Sequence, residues 1–351
     1  MKMIHIETKL DGHHLSYLRA LEQMNYDSAI ILPGETSAID CKSKYIIIPD
    51  RSKKLWYFPW IKKVNKVINT VNPDIVHFVY GDDLYRFFGI RLPKSKKIVI
   101  TCHQVRRSLL RDMAYRRISQ KVNAVVVHTD KLRKDFESLG IHNVYHIEYP
   151  QFISSPYIAD ARKKLGIQTD APVILALGAT RQDKGLDILL DALNNVNLPF
   201  FLLIAGEEKS FSQKYIDEHV TYYRDKVKTI LRFLSEMELS LCLNAADIIC
   251  LPYRKSFDGA SGPLGEGVAL GKMIIGSDHG SLGQLIQTHH LGATFKCEDT
   301  NDLSSVLQNA LTSEWISDEA YQAYQDSLNP IRFQRDYLKL YKGLLKEGNS
   351  K

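Results

Sequence analysis

Two carboxylates, Asp258 and Glu266, lie eight residues apart and enclose a glycine-rich segment. Glycine lets a backbone approach a ligand closely, and proline is favoured in the first turn of a helix. The open N–H groups at a helix start bind anions, whereas carboxylates accept hydrogen bonds from hydroxyl groups. The residues between the acids that provide these features are Gly259, Ser261, Gly262, Pro263 and Leu264. A nucleotide-diphosphate sugar, with its phosphates and hydroxyls, would use all of them, although a structural βαβ crossover with two incidental acids also explains the pattern.

A second candidate phosphate site follows the apolar run 173–177, which predicts a buried strand. The loop after this run has a glycine at each end, Gly178 and Gly185, with Arg181 and Lys184 between them. Cationic side chains beside a glycine turn can hold a diphosphate. For this loop alone, basic side chains on the surface near a helix start are the simpler interpretation.

The stretch 251–286 resembles the signature of the family-4 retaining glycosyltransferases, which have the GT-B fold. That signature has two Glu residues at this spacing, then a small-residue helix and a Ser-Asp-x-Gly loop. The resemblance implies that Glu266 binds the nucleotide ribose and that Asp258, where the family usually has Glu, contacts the donor sugar. The family's acid after the glycine turn corresponds to Gln284, which is a second departure.

The same resemblance extends to the loop after residue 177. The family motif Gly-x-x-Arg-x-x-Lys-Gly, which binds the donor diphosphate, is matched in full by Gly178, Arg181, Lys184 and Gly185. The resemblance also implies a donor-binding role for Gly206, which follows the next predicted strand.

In the first half of the chain, His103 ends the predicted strand 97–103, where ligands of α/β sheets usually bind. The resemblance implies that His103 reaches the donor sugar, and a structural histidine is the alternative. Gly12 follows the first strand in a loop that lies beside the cleft in the family. Gly12, and with it His14, could face donor phosphate or acceptor, or could belong to a plain turn.

Alternating apolar runs and helical segments predict an α/β protein. The resemblance implies the GT-B fold, with two Rossmann-like domains facing a central cleft and a C-terminal helix that crosses back to the first domain. We place the acceptor domain at 1–155 with the helix 331–351, and the donor domain at 156–330. The sequence has no G-x-G-x-x-G motif, so it gives no support for dinucleotide binding.

The charge is unevenly distributed. Residues 1–150 contain 25 Lys and Arg against 15 Asp and Glu, whereas the rest contains 21 against 25. This asymmetry favours an anionic partner for the first half. Segments 51–66 and 106–121 combine basic and apolar or aromatic residues, which predicts contact with an anionic membrane surface. The alternatives are aromatics packed in the core and a solvated basic face. No nucleic-acid motif accompanies them. The five cysteines have no metal-site spacing, and no apolar run is long enough to span a membrane.

Together with these patterns, the resemblance implies a retaining glycosyltransferase that moves a sugar from a nucleotide-diphosphate sugar to a glycan or lipid-linked acceptor, in cell-surface polysaccharide synthesis. The residues expected to act in catalysis are His103, Asp258, Arg181 and Lys184. Because no Asp-x-Asp motif occurs, we expect the enzyme to work without a metal ion. We also expect a hexosyltransferase that needs no cofactor. It should be cytoplasmic, or peripheral on the inner face of the cell membrane. A non-catalytic glycosyltransferase-like subunit and another GT-B sugar-nucleotide enzyme are the alternatives.

Overall fold

The computed structural model describes residues 1–346 apart from positions 11–13, 25, 38, 40, 42, 95, 104–107, 153–156 and 258. The chain forms two compact units, one of Met1–Phe152 with Pro330–Lys351 and one of Ile153–Asn329. Each unit contains one parallel sheet with helices packed on both faces. No described helix has the length and apolar character needed to cross a membrane.

The strands in chain order are β1 Lys2–Ile6, β2 Asp27–Leu32, β3 Ser43–Ile46, β4 Ile75–Phe78, β5 Lys97–Cys102, β6 Ala124–Val127, β7 Val144–His146, β8 Val173–Leu177, β9 Phe201–Ala205, β10 Val227–Ile230, β11 Ile248–Leu251, β12 Met273–Ser277 and β13 Gly292–Phe295. The α-helices are α1 His14–Glu22, α2 Tyr57–Val71, α3 Leu109–Ser119, α4 Asp130–Ser138, α5 Ala161–Lys164, α6 Leu186–Leu193, α7 Gln213–His219, α8 Glu236–Ala245, α9 Gly262–Ala269, α10 Gly280–Thr288, α11 Thr300–Thr312, α12 Glu319–Ser327 and α13 Pro330–Lys346.

The first unit has a seven-stranded sheet in the order β3-β2-β1-β4-β5-β6-β7. Its central strands are buried on both faces, as the unbroken apolar runs predict for a parallel sheet. Helices α2, α3 and α4 contribute to the core on one face, and α1 and α13 contribute to the core on the other. Strand numbers fall from β3 to β1 on one side of the sheet and rise from β4 to β7 on the other, so the direction of winding changes between β1 and β4. The exit loops of β1, β4 and β5 therefore lie next to one another at one edge of the sheet.

Helix α13 is part of the first unit, which confirms the predicted return of the C-terminal helix. It buries Phe333, Tyr337, Tyr341 and Leu344 against the sheet. A buried chain of hydrogen bonds also ties it there. Its members, in order, are His128, Tyr17, Tyr337, Thr101, His77 and Tyr341, with the two tyrosines Tyr337 and Tyr341 supplied by α13. Burial lowers the pKa of both histidines, that of His128 to about 4, so both rings remain neutral members of this chain.

The second unit has a six-stranded sheet in the order β10-β9-β8-β11-β12-β13. One face is covered by α6, α7 and α11, and the other by α5, α8, α9, α10 and α12. Both sheets are parallel throughout, and their strand orders are those of Rossmann-like units. The predicted fold class of two such domains is therefore confirmed.

Candidate active site

The exit loops of two adjacent strands meet in the second unit. Strands β8 and β11 are hydrogen-bonded neighbours, and parallel strands end at the same edge of a sheet. Gly185, in the loop after β8, has a φ of 64° and lies so close to the carbonyl oxygen of Pro252 that a Cβ would overlap it. Gly206, after β9, has a φ of 145° and packs in the same way against Gly178. Both sites require glycine, so the loop 178–185 is held against its neighbours on both sides.

Helix α9 begins at this edge. Ser261 is its N-cap, and its Oγ accepts the Leu264 N–H at 3.3 Å. Pro263 lies in the first turn, as the sequence predicts, and has no N–H to offer. Among the described residues of this first turn, Gly262 therefore keeps its N–H open for an anion. The helix start offers fewer free donors than the glycine-rich sequence alone suggests.

Lys184 connects the two loops. A Cβ built on Gly178 would overlap the Lys184 Nζ, so this ammonium lies directly over the glycine. The same Nζ is 5.4 Å from the centre of the Tyr253 ring, and the Tyr253 hydroxyl is 3.2 Å from the Ser261 Oγ. Among the residues that the structure describes, Lys184 has no acidic partner within ion-pair distance. Lys184 thus lies over Gly178, and Tyr253 links it to the N-cap of α9.

Arg181 is placed differently from Lys184. Its guanidinium donates to both carboxylate oxygens of Asp183, at 2.9 and 2.8 Å, so its charge is already paired within the loop. Arg254, to which the sequence motifs assign no role, holds the loop 178–185 in place. Its backbone N–H donates to the Asp183 carbonyl at 2.9 Å, its Nε donates to the Gln182 carbonyl at 3.0 Å, and its guanidinium pairs with Asp187.

Glu266 lies on α9 and is 3% exposed. The helix packs closely on β11 and β12, because a Cβ on Gly267 would come within 2.7 Å of the Ile249 Cγ1. A carboxylate at this depth is held in one place by its surroundings, which suits a residue that must accept defined hydrogen bonds. Asp258 and Gly12, to which the sequence assigns donor contacts, lie outside the described residues.

His103 lies in the first unit, directly after β5. Its backbone N–H donates to Asp82 at 2.8 Å, and its Nε2 donates to the Val79 carbonyl at 2.9 Å. Burial, together with the neighbouring His128 and His14 rings, lowers the pKa of His103 well below its usual value. The ring is therefore neutral, and its Nδ1 carries a lone pair to which no described residue donates.

Among the described residues, no group of three or more His, Cys, Asp or Glu side chains is arranged to hold a metal ion. The positions with candidate chemistry are instead a cation beside a helix start in the second unit and a neutral histidine at the sheet edge of the first. Tyr253 and Arg254 follow the end of β11 directly, so their position after a buried strand was the available sequence signal for both.

The two parallel α/β units have the architecture of the GT-B glycosyltransferase fold. The family model described as glycosyl transferases group 1 matches residues 158–326, and that described as glycosyltransferase family 4 matches residues 13–148. Between them these matches cover most of the chain, which belongs to the family-4 glycosyltransferases of group 1. The protein is a glycosyltransferase.

Solved structures share the fold of this chain. Sucrose-phosphate synthase of Thermosynechococcus elongatus matches with a TM-score of 0.81 at 16% identity, covering 99% of both chains. A glycosyltransferase of Rickettsia africae matches with a TM-score of 0.77 at 16% identity, covering 98% of both chains. HepE of Anabaena, in complex with UDP and glucose, matches with a TM-score of 0.78 at 14% identity, covering 98% of this chain and all 100% of its own. No curated protein sequence matches the chain.

Proposed function

We propose that this glycosyltransferase is a retaining, metal-independent hexosyltransferase that uses a nucleotide-diphosphate sugar and no cofactor. Its acceptor is a glycan or a lipid-linked sugar of cell-surface polysaccharide synthesis. Residues 156–330 form the donor domain, and residues 1–155 with the helix 331–351 form the acceptor domain. The observation that carries the proposal is the position of Lys184 over Gly178 and near the ring of Tyr253, whose hydroxyl lies 3.2 Å from the N-cap Ser261 of α9.

This arrangement suits a leaving diphosphate. Negative charge grows on the diphosphate as its bond to the sugar breaks, and preorganised cations and N–H groups stabilise that charge. Lys184 supplies the cation, and the Gly262 N–H at the start of α9 adds a donor. Because the ammonium lies over Gly178, a bound diphosphate requires the flexible end of Lys184 to turn toward it. Arg181 contributes less, because Asp183 already neutralises much of its charge.

The donor class has further support from related structures. HepE of Anabaena has been solved with UDP, with UDP and glucose, and with UDP-glucose. We therefore propose a uridine diphosphate sugar as the first donor to test, bound by the second unit with its ribose at Glu266 and its sugar at Asp258. Gly178, Gly206 and Ser261 line the diphosphate side of this proposed donor site.

A thermal-shift screen tests the proposal. We expect UDP-glucose, UDP-galactose, UDP-N-acetylglucosamine or GDP-mannose to raise the unfolding temperature, because a ligand at about 100 times its Kd stabilises the native state by about 2.7 kcal/mol. Uridine and guanosine, which lack the diphosphate, are the controls and should stabilise the protein much less. A protein that is stabilised by none of the four donors contradicts the proposal. Binding without release of the nucleoside diphosphate would instead favour a non-catalytic subunit.

We also propose that the protein is cytoplasmic and docks on an anionic membrane surface, and that α3 provides the contact. Its exposed face begins with Leu109, Leu110 and Met113, which are 88%, 65% and 59% exposed. Arg116 and Arg117 follow on the same face, three and four residues after Met113. Apolar side chains beside basic ones suit the boundary of an anionic bilayer.

The segment 51–66 is the weaker membrane candidate. Its two tryptophans, Trp56 and Trp60, are 5% and 3% exposed and belong to the core of the first unit. This is the packed arrangement that the sequence left open as the alternative. Lys62, Lys63 and Lys66 remain on the outside of α2, where they can add attraction to anionic lipid without insertion.

Vesicle sedimentation tests the membrane proposal. We expect the protein to pellet with vesicles of phosphatidylcholine and phosphatidylglycerol at low salt and to be released at high salt, because surface charges are screened. The double variant Leu110→Asp with Met113→Asp should lose most of this binding. Ile331→Asp, which changes an apolar side chain on α13 that is 72% exposed, should keep it. Absence of pelleting at either salt concentration rules the proposal out.

A further inference from the structure

A cavity of about 610 Å³ opens at the edge of the first unit's sheet where the strands begin. Lys97 is the first residue of β5, and Asp74 and Asn123 directly precede β4 and β6. The other lysines that line the cavity are Lys94, Lys96 and Lys121. The strands end at the opposite edge, about 20 Å away, because each residue of a strand such as β5 adds about 3.3 Å. The cavity is therefore separate from the exit loops of this sheet.

The positive charge of this cavity is not balanced by nearby acids. Among the described residues, none of the four lysines has an acidic side chain within ion-pair distance. Asp74 is the one carboxylate among the described residues that line the cavity, and its Oδ2 already accepts the Lys2 N–H at 2.7 Å. A cluster of cations therefore lies together with little opposite charge from the protein itself.

Lys121 has a fixed position within this cluster. Its Nζ donates to the carbonyl oxygens of Phe88 and Gly89 at 2.8 and 3.0 Å. Burial, together with the neighbouring charges of Arg117 and Lys94, lowers the pKa of Lys121. Like charges held close to one another oppose folding, and an anion that binds between them would stabilise the native state.

The lysines could instead neutralise the carboxyl ends of helices at this edge. Lys96 donates to the side chain of Asn72, the C-cap of α2, and the cavity is also lined by Gln120, the C-cap of α3, and by Leu345 near the end of α13. Each helix end carries about half a negative charge, so the three together supply about one and a half. With Asp74 added, these charges are still fewer than those of the four lysines. An excess of between one and two positive charges remains.

This excess matches a phosphate monoester, which carries about 1.5 to 2 negative charges at pH 7 and three acceptor oxygens. Asn123 adds a neutral donor, because its Oδ1 accepts the Ile98 N–H at 2.9 Å and its amide nitrogen has no described partner. We propose that this cavity binds a phosphomonoester, carried either by a free small molecule or by a lipid headgroup. The three lysines at and before the start of β5 supply mobile cations, and Lys121 supplies a fixed one.

Titration calorimetry with glycerol 3-phosphate at low ionic strength tests this proposal, with glycerol as the ligand that lacks the phosphate. We expect the double variant Lys94→Gln with Lys97→Gln to lower the association constant for glycerol 3-phosphate by about 10-fold or more, because it loses hydrogen bonds to a charged group. The matched control is Lys62→Gln with Lys63→Gln, which removes the same charge from the exposed face of α2 in the same unit. It should bind the probe as the wild-type protein does.

The stability of the ligand-free variants separates a binding site from a structural role. Without ligand, Lys94→Gln with Lys97→Gln should unfold at the wild-type temperature or higher in low salt, because repelling charges have been removed. Lysines that serve only the helix ends predict a lower unfolding temperature and unchanged affinity for the probe, which would overturn the proposal. A wild-type protein that binds glycerol 3-phosphate no more tightly than glycerol also overturns it, as does an equal loss of affinity in both double variants.

Sedimentation with vesicles identifies the source of the phosphate. Phosphatidic acid carries a phosphomonoester, whereas the phosphate of phosphatidylglycerol is a diester. If the ligand is a lipid headgroup, the wild-type protein pellets more with phosphatidic acid than with phosphatidylglycerol vesicles of equal surface charge, and Lys94→Gln with Lys97→Gln loses this difference. If the ligand is a free molecule, both proteins pellet equally with the two lipids and differ only in their affinity for glycerol 3-phosphate. Either result supports a phosphomonoester site.

Discussion

Lys184→Ala is expected to lower the rate of sugar transfer by about 10²-fold or more, by analogy with the loss of one preorganised donor to a transition-state charge. The structure gives Lys184 this weight because its ammonium lies over Gly178 and is linked through Tyr253 to the N-cap of α9. Of the first-turn donors, the Leu264 N–H is already bonded to Ser261. Because the helix start offers fewer free N–H groups, Lys184 supplies a larger share of the stabilisation of the transition-state charge. Steady-state release of nucleoside diphosphate from the donor identified by thermal shift measures the effect.

Two variants sharpen this experiment. Lys209→Ala removes another lysine from a neighbouring exit loop, where it pairs with Glu207, and it should retain nearly full activity. Arg181→Ala should cost less than Lys184→Ala, because Asp183 holds the arginine in a two-point ion pair. Wild-type turnover in Lys184→Ala would remove this lysine from the diphosphate site. A larger loss in Arg181→Ala would show that Arg181 leaves Asp183 when the donor binds.

Glu266→Gln is expected to weaken the binding of free UDP by about 10-fold or more, because a hydrogen bond to a charged group contributes about 1.5–3 kcal/mol. The side chain is 3% exposed on α9, so its carboxylate has a fixed position relative to the helix start. Glutamine keeps the volume and one acceptor oxygen but loses the charge. Titration calorimetry with UDP measures the change directly and does not depend on knowing the acceptor.

The control for Glu266 is Glu218→Gln, which changes a glutamate of α7 whose side chain is 58% exposed. Its UDP affinity should equal that of the wild-type protein. The unfolding temperature of each variant without ligand must also be measured, because Glu266 is buried and its replacement can alter stability as well as binding. Unchanged UDP affinity in a folded Glu266→Gln protein contradicts the ribose role.

The sheet strands were predictable because buried parallel strands need unbroken apolar runs, such as 173–177 and 248–251. Helix α12 carries a weak sequence signal, because it buries only Tyr321 and Tyr324 and its other residues are polar or alanine. The α9 motif was visible as a sequence signature, whereas the capping of Leu264 by Ser261 depends on backbone geometry.

Long-range contacts account for the rest of what the sequence did not reveal. Arg254 bonds to residues about 70 positions away in the chain, and only the adjacency of β8 and β11 brings them together. Spacing identified the residue types at these positions but could not identify their partners.

The attachment of α13 to the first sheet has a consequence for the order in which the protein is completed during translation. Tyr337 and Tyr341 fill places in the buried hydrogen-bond chain through Thr101 and His77, which would otherwise leave polar groups unpaired in an apolar interior. A nascent chain that has emerged only as far as residue 329 has all of its second unit but lacks this layer of the first. The amino-terminal unit therefore cannot reach its native form before residues 330–346 are available, although the ribosome makes its sheet first.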